Sequence, residues 1–256
     1  MNKNFETFAP WLFVVVLFGV WEGACRFLHV PTVILPAPSV IYGAFQRFWG
    51  PIMSNSFVTL WTTMAGFGLS VAFGLLLGLV VGWSRTIYRG FYPVMIGFNS
   101  IPKVAVVPIL VMWFGIGEAP AILTAFLISF FPIVVNVATG LATIEPEMED
   151  VLRALGASKL DVMRKVGIPR SMPYFFGSLK VAITLAFVVT VVSETVAANA
   201  GIGFLMSQAG ANFQMPLVFA GLIALAFEGI VMYAATAWLE QRMTGWAFRS
   251  QGSAAA

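Results

Sequence analysis

Apolar residues along this chain come in stretches of about twenty, broken by short segments where Pro, Gly and charged side chains collect. The stretches fall at 10–28, 57–83, 91–114, 120–142, 174–196 and 216–239. A helix of about 20 apolar residues spans the ~30 Å hydrocarbon layer of a bilayer. The pattern therefore predicts an all-α polytopic membrane protein, with six crossings in one domain over 1–250. The tail 251–256 is linker-like and stands outside that domain. Within the second stretch Ser70, Gly74, Gly78 and Gly82 recur every fourth residue. Such a stripe of small residues lets a neighbouring helix come close. Between the first two stretches Pro31, Pro36 and Pro38 predict a stiff, extended segment. Ser39 is placed to cap a short amphipathic helix running to about Trp49. The polar segment 197–216, rich in Gly, Ala, Asn and Gln, reads from its residues as a loop.

One polar interruption differs in kind from the rest. The segment 145–169 and its border hold ten charged residues between Glu145 and Arg170, five acidic and five basic. A charge at the bilayer centre costs at least ~2.5–3.5 kcal/mol, so this segment stays outside the hydrocarbon. Met148, Val151, Leu152 and Leu155 nevertheless recur at helical spacing, with acidic residues first and Arg153 later, as a helix macrodipole favours. Gly156 ends that helix, and Ala157 with Ser158 opens another whose apolar stripe is Leu160, Val162, Met163 and Val166. Two short helices about a glycine turn predict an exposed knob. Ordered connectors of this length generally have a task, and apolar faces ringed by charge suit docking of another protein.

Composition and charge sharpen the picture. The chain is 59% hydrophobic and 10% charged, with a mean hydropathy of +0.90. A soluble domain carries roughly 25% charged residues, which excludes that class. Lys3, Arg85, Arg89, Arg153, Lys159, Arg164, Lys165, Arg170, Arg242 and Arg249 fall on one side of the predicted crossings. His29, Arg47, Glu118 and Glu194 fall on the other. The positive-inside rule then puts both termini and the 145–169 loop in the cytoplasm. The net charge of +3 is scattered between spans, not gathered in a patch, so no nucleic-acid partner is implied. The single Cys25 forms no internal disulfide framework, and with one histidine there is neither a catalytic cluster nor a metal site to expect. No G-x-x-x-x-G-K-[ST] phosphate loop occurs, so a partner or an ion gradient must supply energy.

The run Asp150-Val151-Leu152-Arg153-Ala154-Leu155-Gly156-Ala157-Ser158, followed by Val166-Gly167-Ile168-Pro169, resembles the EAA loop of bacterial ABC importer permeases. That family has a Glu-Ala-Ala triplet before a glycine and an I-x-L-P element beyond it. Gly156 and Pro169 match at the family's separation, whereas Asp150, Val151 and Leu152 stand where the triplet would be. Leu35-Pro36-Ala37-Pro38-Ser39, the stretch Ser100 to Pro108, Trp113 to Glu118, and Glu194 with Gly201-Ile202-Gly203 are similar to the subgroup for sulfonates, taurine, nitrate and thiamin-precursor pyrimidines. The resemblance implies a type I importer permease fold in the bacterial inner membrane. It also implies two ATP-binding cassette subunits, a second permease copy as a homodimer, and an extracytoplasmic solute-binding protein. ATP and Mg belong to the cassette partner, and this chain binds no cofactor of its own. Asp150, Arg153, Ala154, Leu155, Gly156, Ala157 and Ser158 become the expected ATPase-coupling residues.

Polar residues inside spans are candidates for the translocation path. Asn99, Ser100 and Lys103 lie beside Pro102, where the helix ladder is interrupted; Asn136 and Thr139 lie on the fourth span, and Thr190 and Glu194 on the fifth. A lysine on the path favours anionic solutes; the alternative is a lysine paired with a carboxylate or a helix C-terminus. Glu228 is the other mid-span charge, and Glu22 with Arg26 reads as an intrahelical pair. A permease for a small anionic or polar organic solute is the leading expectation. An ion-coupled secondary transporter is the second, although no internal repeat supports it.

Overall fold

The computed structural model describes residues 3–142 and 146–252, and all regular structure among them is helical. Glu145, where the charged loop was expected to begin, and tail residues 253–256 lie outside the described residues. Helix α1 covers Lys3–Phe27, beginning before the predicted 10–28. The segment expected to be extended opens on a turn, in which the Pro31 carbonyl accepts the N–H groups of Ile34 and Leu35, and is extended at Ala37, just before the next helix. Helix α2, Pro38–Arg47, starts after Ala37 and not at Ser39. Proline is suited to a first helical turn, where its missing N–H has no partner to lose. Ser39 is drawn instead to Glu22, which accepts its N–H at 2.9 Å and its hydroxyl at 2.8 Å.

Only Phe48 separates α2 from α3, Trp49–Gly82, which begins well before the predicted 57. The predicted third span, 91–114, is two helices. Helix α4, Arg85–Asn99, and helix α5, Val107–Phe114, join through a 3₁₀ turn at Lys103–Val106 with a bend of 71°. Helix α6, Glu118–Ala142, stays continuous through Pro132. The charged loop holds α7, Pro146–Ala154, and the short α8, Lys159–Val162. The second loop helix is not separate from the fifth span. Through a π-turn at Met163–Gly167, α8 runs into α9, Ile168–Ala197, so that 39 helical residues extend from Lys159 to Ala197. The segment expected as a loop contains α10, Ile202–Ala211, and α11 runs from Met215 to Gly252, beyond the predicted 239.

Small residues explain the closest contact. Helices α3 and α6 run side by side in the same direction, with Gly66 against Ala125, Gly74 against Ile133, Gly78 against Val137 and Gly82 against Leu141. A Cβ at Gly78 would stand 2.7 Å from that of Val137, so only hydrogen fits there. Ser70, in the same stripe, meets the Ser129 hydroxyl at 2.6 Å. Large apolar residues of α3 face outward, as with Leu76 at 64% exposed, while Ser70, Thr124 and Ser129 are fully buried. Lipid offers no hydrophobic drive between helices, so close small-residue packing and interhelical hydrogen bonds hold such a bundle. Trp49–Gly82, Glu118–Ala142, Lys159–Ala197 and Met215–Gly245 are long and apolar enough to cross a membrane, and the α4–α5 pair is a fifth if taken as one bent span. Helix α9 ends beside the start of α3, so it runs against α3 and α6. The bundle thus has an α7 end, carrying the charged loop, and an opposite end carrying α2, α10 and the α10–α11 turn.

Candidate functional site: a helix break, a buried carboxylate and an exposed loop

The break between α4 and α5 follows from Pro102, whose extended ψ of 101° stops the helix. Lys103 then folds back over the end of α4. Its ammonium donates to the Phe98 carbonyl at 3.1 Å, to Asn99 Oδ1 at 3.1 Å and to the Asn99 carbonyl. Three donors meet three acceptors, at a helix C-terminus that favours a cation. Lys103 is 7% exposed, so its charge is committed to α4. Beside it opens a cavity of about 440 Å³, lined by Asn99, Ser100 and Lys103 together with Phe131 and Pro132 of α6 and Leu185 of α9. The Ser100 hydroxyl donates to the Ile96 carbonyl at 3.0 Å, which leaves its oxygen able to accept. Asn99 and Ser100 are exposed. An amide and a hydroxyl set among apolar walls can hold a small polar molecule without binding it tightly.

The other predicted path residues lie elsewhere. Asn136 donates to the Pro132 carbonyl at 2.8 Å, and Thr139 meets the Tyr88 hydroxyl at 3.2 Å, tying α6 to α4. Thr190 is fully buried on α9. Glu228, the other mid-span charge, is half-buried on α11 and faces the Ser56 hydroxyl of α3. None of these four lines the cavity.

Glu194 is 1% exposed and forms a clasp that its sequence context did not disclose. Its Oε2 accepts the Thr59 hydroxyl at 2.9 Å and the Gly203 N–H at 3.0 Å. Thr62 lies 3.4 Å from Oε1, although its proton is shared with the Val58 carbonyl. The Thr59 oxygen accepts the Ile202 N–H at 2.8 Å, and Asn55 Oδ1 accepts that of Gly201 at 2.8 Å. The first N–H groups of a helix have no partner within it. Those of α10 are taken by α3 and α9 instead, which seats α10 on the bundle. Gly201, at φ +105°, and Gly203 leave the room this needs, since a Cβ on Gly201 would stand 2.3 Å from the Glu194 carboxyl carbon. Asn55, Thr59 and Thr62 escaped sequence reasoning because short polar side chains in a helix are usually bonded to their own helix, as Asn55 to Pro51 and Thr62 to Val58 also are.

In the charged loop, α7 closes as a helix with a left-handed glycine should. Gly156, at φ +86°, donates to the Arg153 carbonyl at 2.9 Å, and Ala157 donates to that of Leu152 at 3.0 Å. Ser158 caps α8 in a reciprocal pair with Asp161, and those hydrogen bonds from Ser158 hold the Asp161 carboxyl below its usual range. Lys159 lies 5.5 Å from the centre of the Trp83 ring at the end of α3. Val162 and Met163 are buried, whereas Val151, Leu155 and Leu160 are 60%, 79% and 62% exposed. Asp150, Arg153, Ala154, Gly156 and Ser158 are exposed and Ala157 is half-buried. The loop is therefore anchored on one side and presents an apolar ridge among charges on the other. Another pair not foreseen is Lys180–Glu240, 2.6 Å apart, which joins α9 to α11.

Residues 70–245 match the family described as the binding-protein-dependent transport system inner membrane component. The formylaminopyrimidine transport permease protein ThiX of Halalkalibacterium halodurans is 30% identical over 247 residues, 96% of this chain and 98% of that protein. The taurine transport system permease protein TauC of Escherichia coli is 26% identical over 241 residues, 91% of this chain and 87% of that protein. The fold is similar to the MetNI methionine ABC transporter in an inward-facing conformation, with a TM-score of 0.67 at 20% identity over 78% of this chain and 98% of that one. A bacterial importer of alginate aligns with a TM-score of 0.61 at 13% identity, over 95% of this chain and 100% of that one.

Proposed function

Because the chain belongs to the binding-protein-dependent transport inner membrane family, the permease component of ABC importers, we propose that its α7–α8 loop docks the ATPase and its α4–α5 cavity passes a small polar organic solute. As a permease subunit it has no ATPase activity of its own, and it is a multi-pass membrane protein. The ridge of Val151, Leu155 and Leu160 carries the coupling proposal: three large apolar side chains held in the open by a capped, glycine-turned loop. Asp150, Arg153, Ala154, Gly156, Ala157 and Ser158 surround it and complete the contact. Two cassette subunits, holding ATP and Mg, grip two copies of this chain. The loop and both termini face the cytoplasm, and a solute-binding protein delivers cargo at the opposite end. The alginate transporter solved with its periplasmic protein is a precedent of the same fold.

The solute class rests on the cavity and on the relatives. The cargoes those relatives are named for, a formylaminopyrimidine and taurine, are small and polar but differ in charge. Lys103 gives no support to an anion, since its donors are taken by α4. Asn99 and Ser100 are the groups offered to the solute. The family leaves the ion-coupled alternative without support. Asp150→Arg and Gly156→Leu are expected to abolish uptake and to lose the ATPase during affinity purification, while membrane insertion is unchanged. Normal uptake with the ATPase retained in both variants would overturn the docking proposal.

A further inference from the structure

Lys103 fixes more than the end of α4. An ammonium carries three protons and no lone pair, so every group it holds by a hydrogen bond must be an acceptor. Of the Asn99 side chain it therefore takes Oδ1, at 3.1 Å, and not the amide nitrogen. The carbonyls of Phe98, at 3.1 Å, and of Asn99 itself take the other two protons. The Phe98 ring stands beside them, its centre 5.8 Å from the ammonium. Lys103 is buried, so little water competes for these protons. An asparagine amide can turn to present either its oxygen or its nitrogen, and here the turn is decided. The NH2 group of Asn99 faces away from the ammonium, and among the described residues nothing accepts its protons. Asn99 is exposed and lines the 440 Å³ cavity, so those protons are left for whatever enters it.

Ser100, the next residue, is set the opposite way. Its hydroxyl proton goes to the Ile96 carbonyl at 3.0 Å, and its oxygen keeps lone pairs for the cavity. A donor edge at Asn99 thus stands beside an acceptor at Ser100, among walls that include Ile101, Phe131 and Leu185. Lys103 is the one charged residue in the lining, and its protons are engaged. A net charge brought between such walls would be buried without a partner, whereas a neutral polar group exchanges its hydrogen bonds to water for those offered here. Resting on the α4–α5 cavity as the solute's path, we propose that Lys103 is a positioning residue that sets specificity through Asn99. The solutes it selects carry no net charge and join an acceptor to a donor, as an amide or an aminated heteroaromatic ring does. A simple carboxylate meets Asn99 but brings no proton to the Ser100 oxygen, which then loses its partner.

The test uses the permease–ATPase complex in lipid nanodiscs and two fluorinated probes of similar size. Trifluoroacetamide has an acceptor and a donor and no charge; trifluoroacetate has acceptors only and is an anion. Fluorine NMR reads the concentration of each at half-saturation. In the parent, trifluoroacetamide should half-saturate at a concentration about threefold or more below trifluoroacetate. Asn99→Leu should weaken trifluoroacetamide about threefold or more, and Lys103→Met, which frees the amide to turn, should do the same. Lys103→Arg, which still offers only donors to Oδ1, should keep the parent preference. Because Lys103 acts through Asn99, Lys103→Met should add nothing in the Asn99→Leu background. A lysine needed only for folding would weaken both probes alike and would add its effect in that background, which would overturn the proposal. A parent that prefers trifluoroacetate, with the preference lost in Lys103→Met, would make Lys103 an anion site and overturn it too. The path itself is read separately, by ATP-driven uptake of the solute carried by the binding protein encoded beside the permease. Ser100→Trp should block that uptake; normal uptake would overturn the cavity as the path, and this proposal with it. Blocked uptake with probe midpoints indifferent to Lys103→Met and Asn99→Leu would overturn the role of Lys103 alone.

Discussion

Glu194 brings a carboxylate from α9 into the bundle interior, and the groups that meet it come from two other helices: Thr59 and Thr62 on α3 and Gly203 on α10. Removing one partner of a buried hydrogen bond costs about 1–3 kcal/mol, because the other is left unpaired. Glu194→Ala is therefore expected to lower the thermal unfolding midpoint of the detergent-purified permease by a stability loss in that range. Gly201→Ala should do at least as much, since its new methyl would meet the Glu194 carboxyl carbon at 2.3 Å in a backbone conformation that L residues avoid. Midpoints equal to the parent in both would show that α10 is held by other means. Lys103 teaches the complementary lesson. Its position beside Pro102 marked it as conspicuous in sequence, but its choice between a solute and the end of α4 depended on where the chain turned after Asn99.

At the scale of elements, prolines did not act alike. Pro102 separates α4 from α5, whereas Pro132 lies inside α6 and Pro173 inside α9. A proline removes one hydrogen bond of the ladder wherever it falls, and neighbouring contacts decide whether the helix survives that loss. Helix α6 is held along its length by α3, and α9 follows a π-turn, Met163–Gly167, that ends just before Pro169. The small-residue stripe was legible because its four-residue period needs no tertiary knowledge. Its partner was not. Gly78→Leu is expected to separate α3 from α6, with sharply reduced yield of folded permease by size-exclusion chromatography. Gly68→Leu on the same helix should be tolerated, because nothing lies within 4 Å of its Cβ position. Equal yields for both would refute the close-contact account.

Across the molecule, the loop and the far end are linked by continuous parts. The 39-residue run from Lys159 makes α8 and α9 one lever, and Lys180–Glu240 fastens that lever to α11 near its middle. Breaking a largely buried pair by reversing one charge costs about 3–5 kcal/mol. Lys180→Glu and Glu240→Lys should each reduce ATP-driven uptake about tenfold or more, and the double exchange should restore most of it. If the exchange restores nothing, the pair does not act as a fastening.

What the sequence determined by itself is what depends on local composition: the helical class, the hydrocarbon-length stretches, the small-residue stripe, the glycine turn at Gly156 and the exposure of the charged loop. Solvent preference, residue size and backbone conformation act on each residue where it stands, so a linear reading captures them. The tertiary structure alone decided that α4 and α5 part at 71°, that α8 flows into α9, that Lys103 turns to α4, and that Asn55, Thr59 and Glu194 close on α10. Each of these depends on hydrogen-bond partners brought together from distant parts of the chain or on how a chain break is oriented, and inside a membrane those partners are chosen by packing rather than by water.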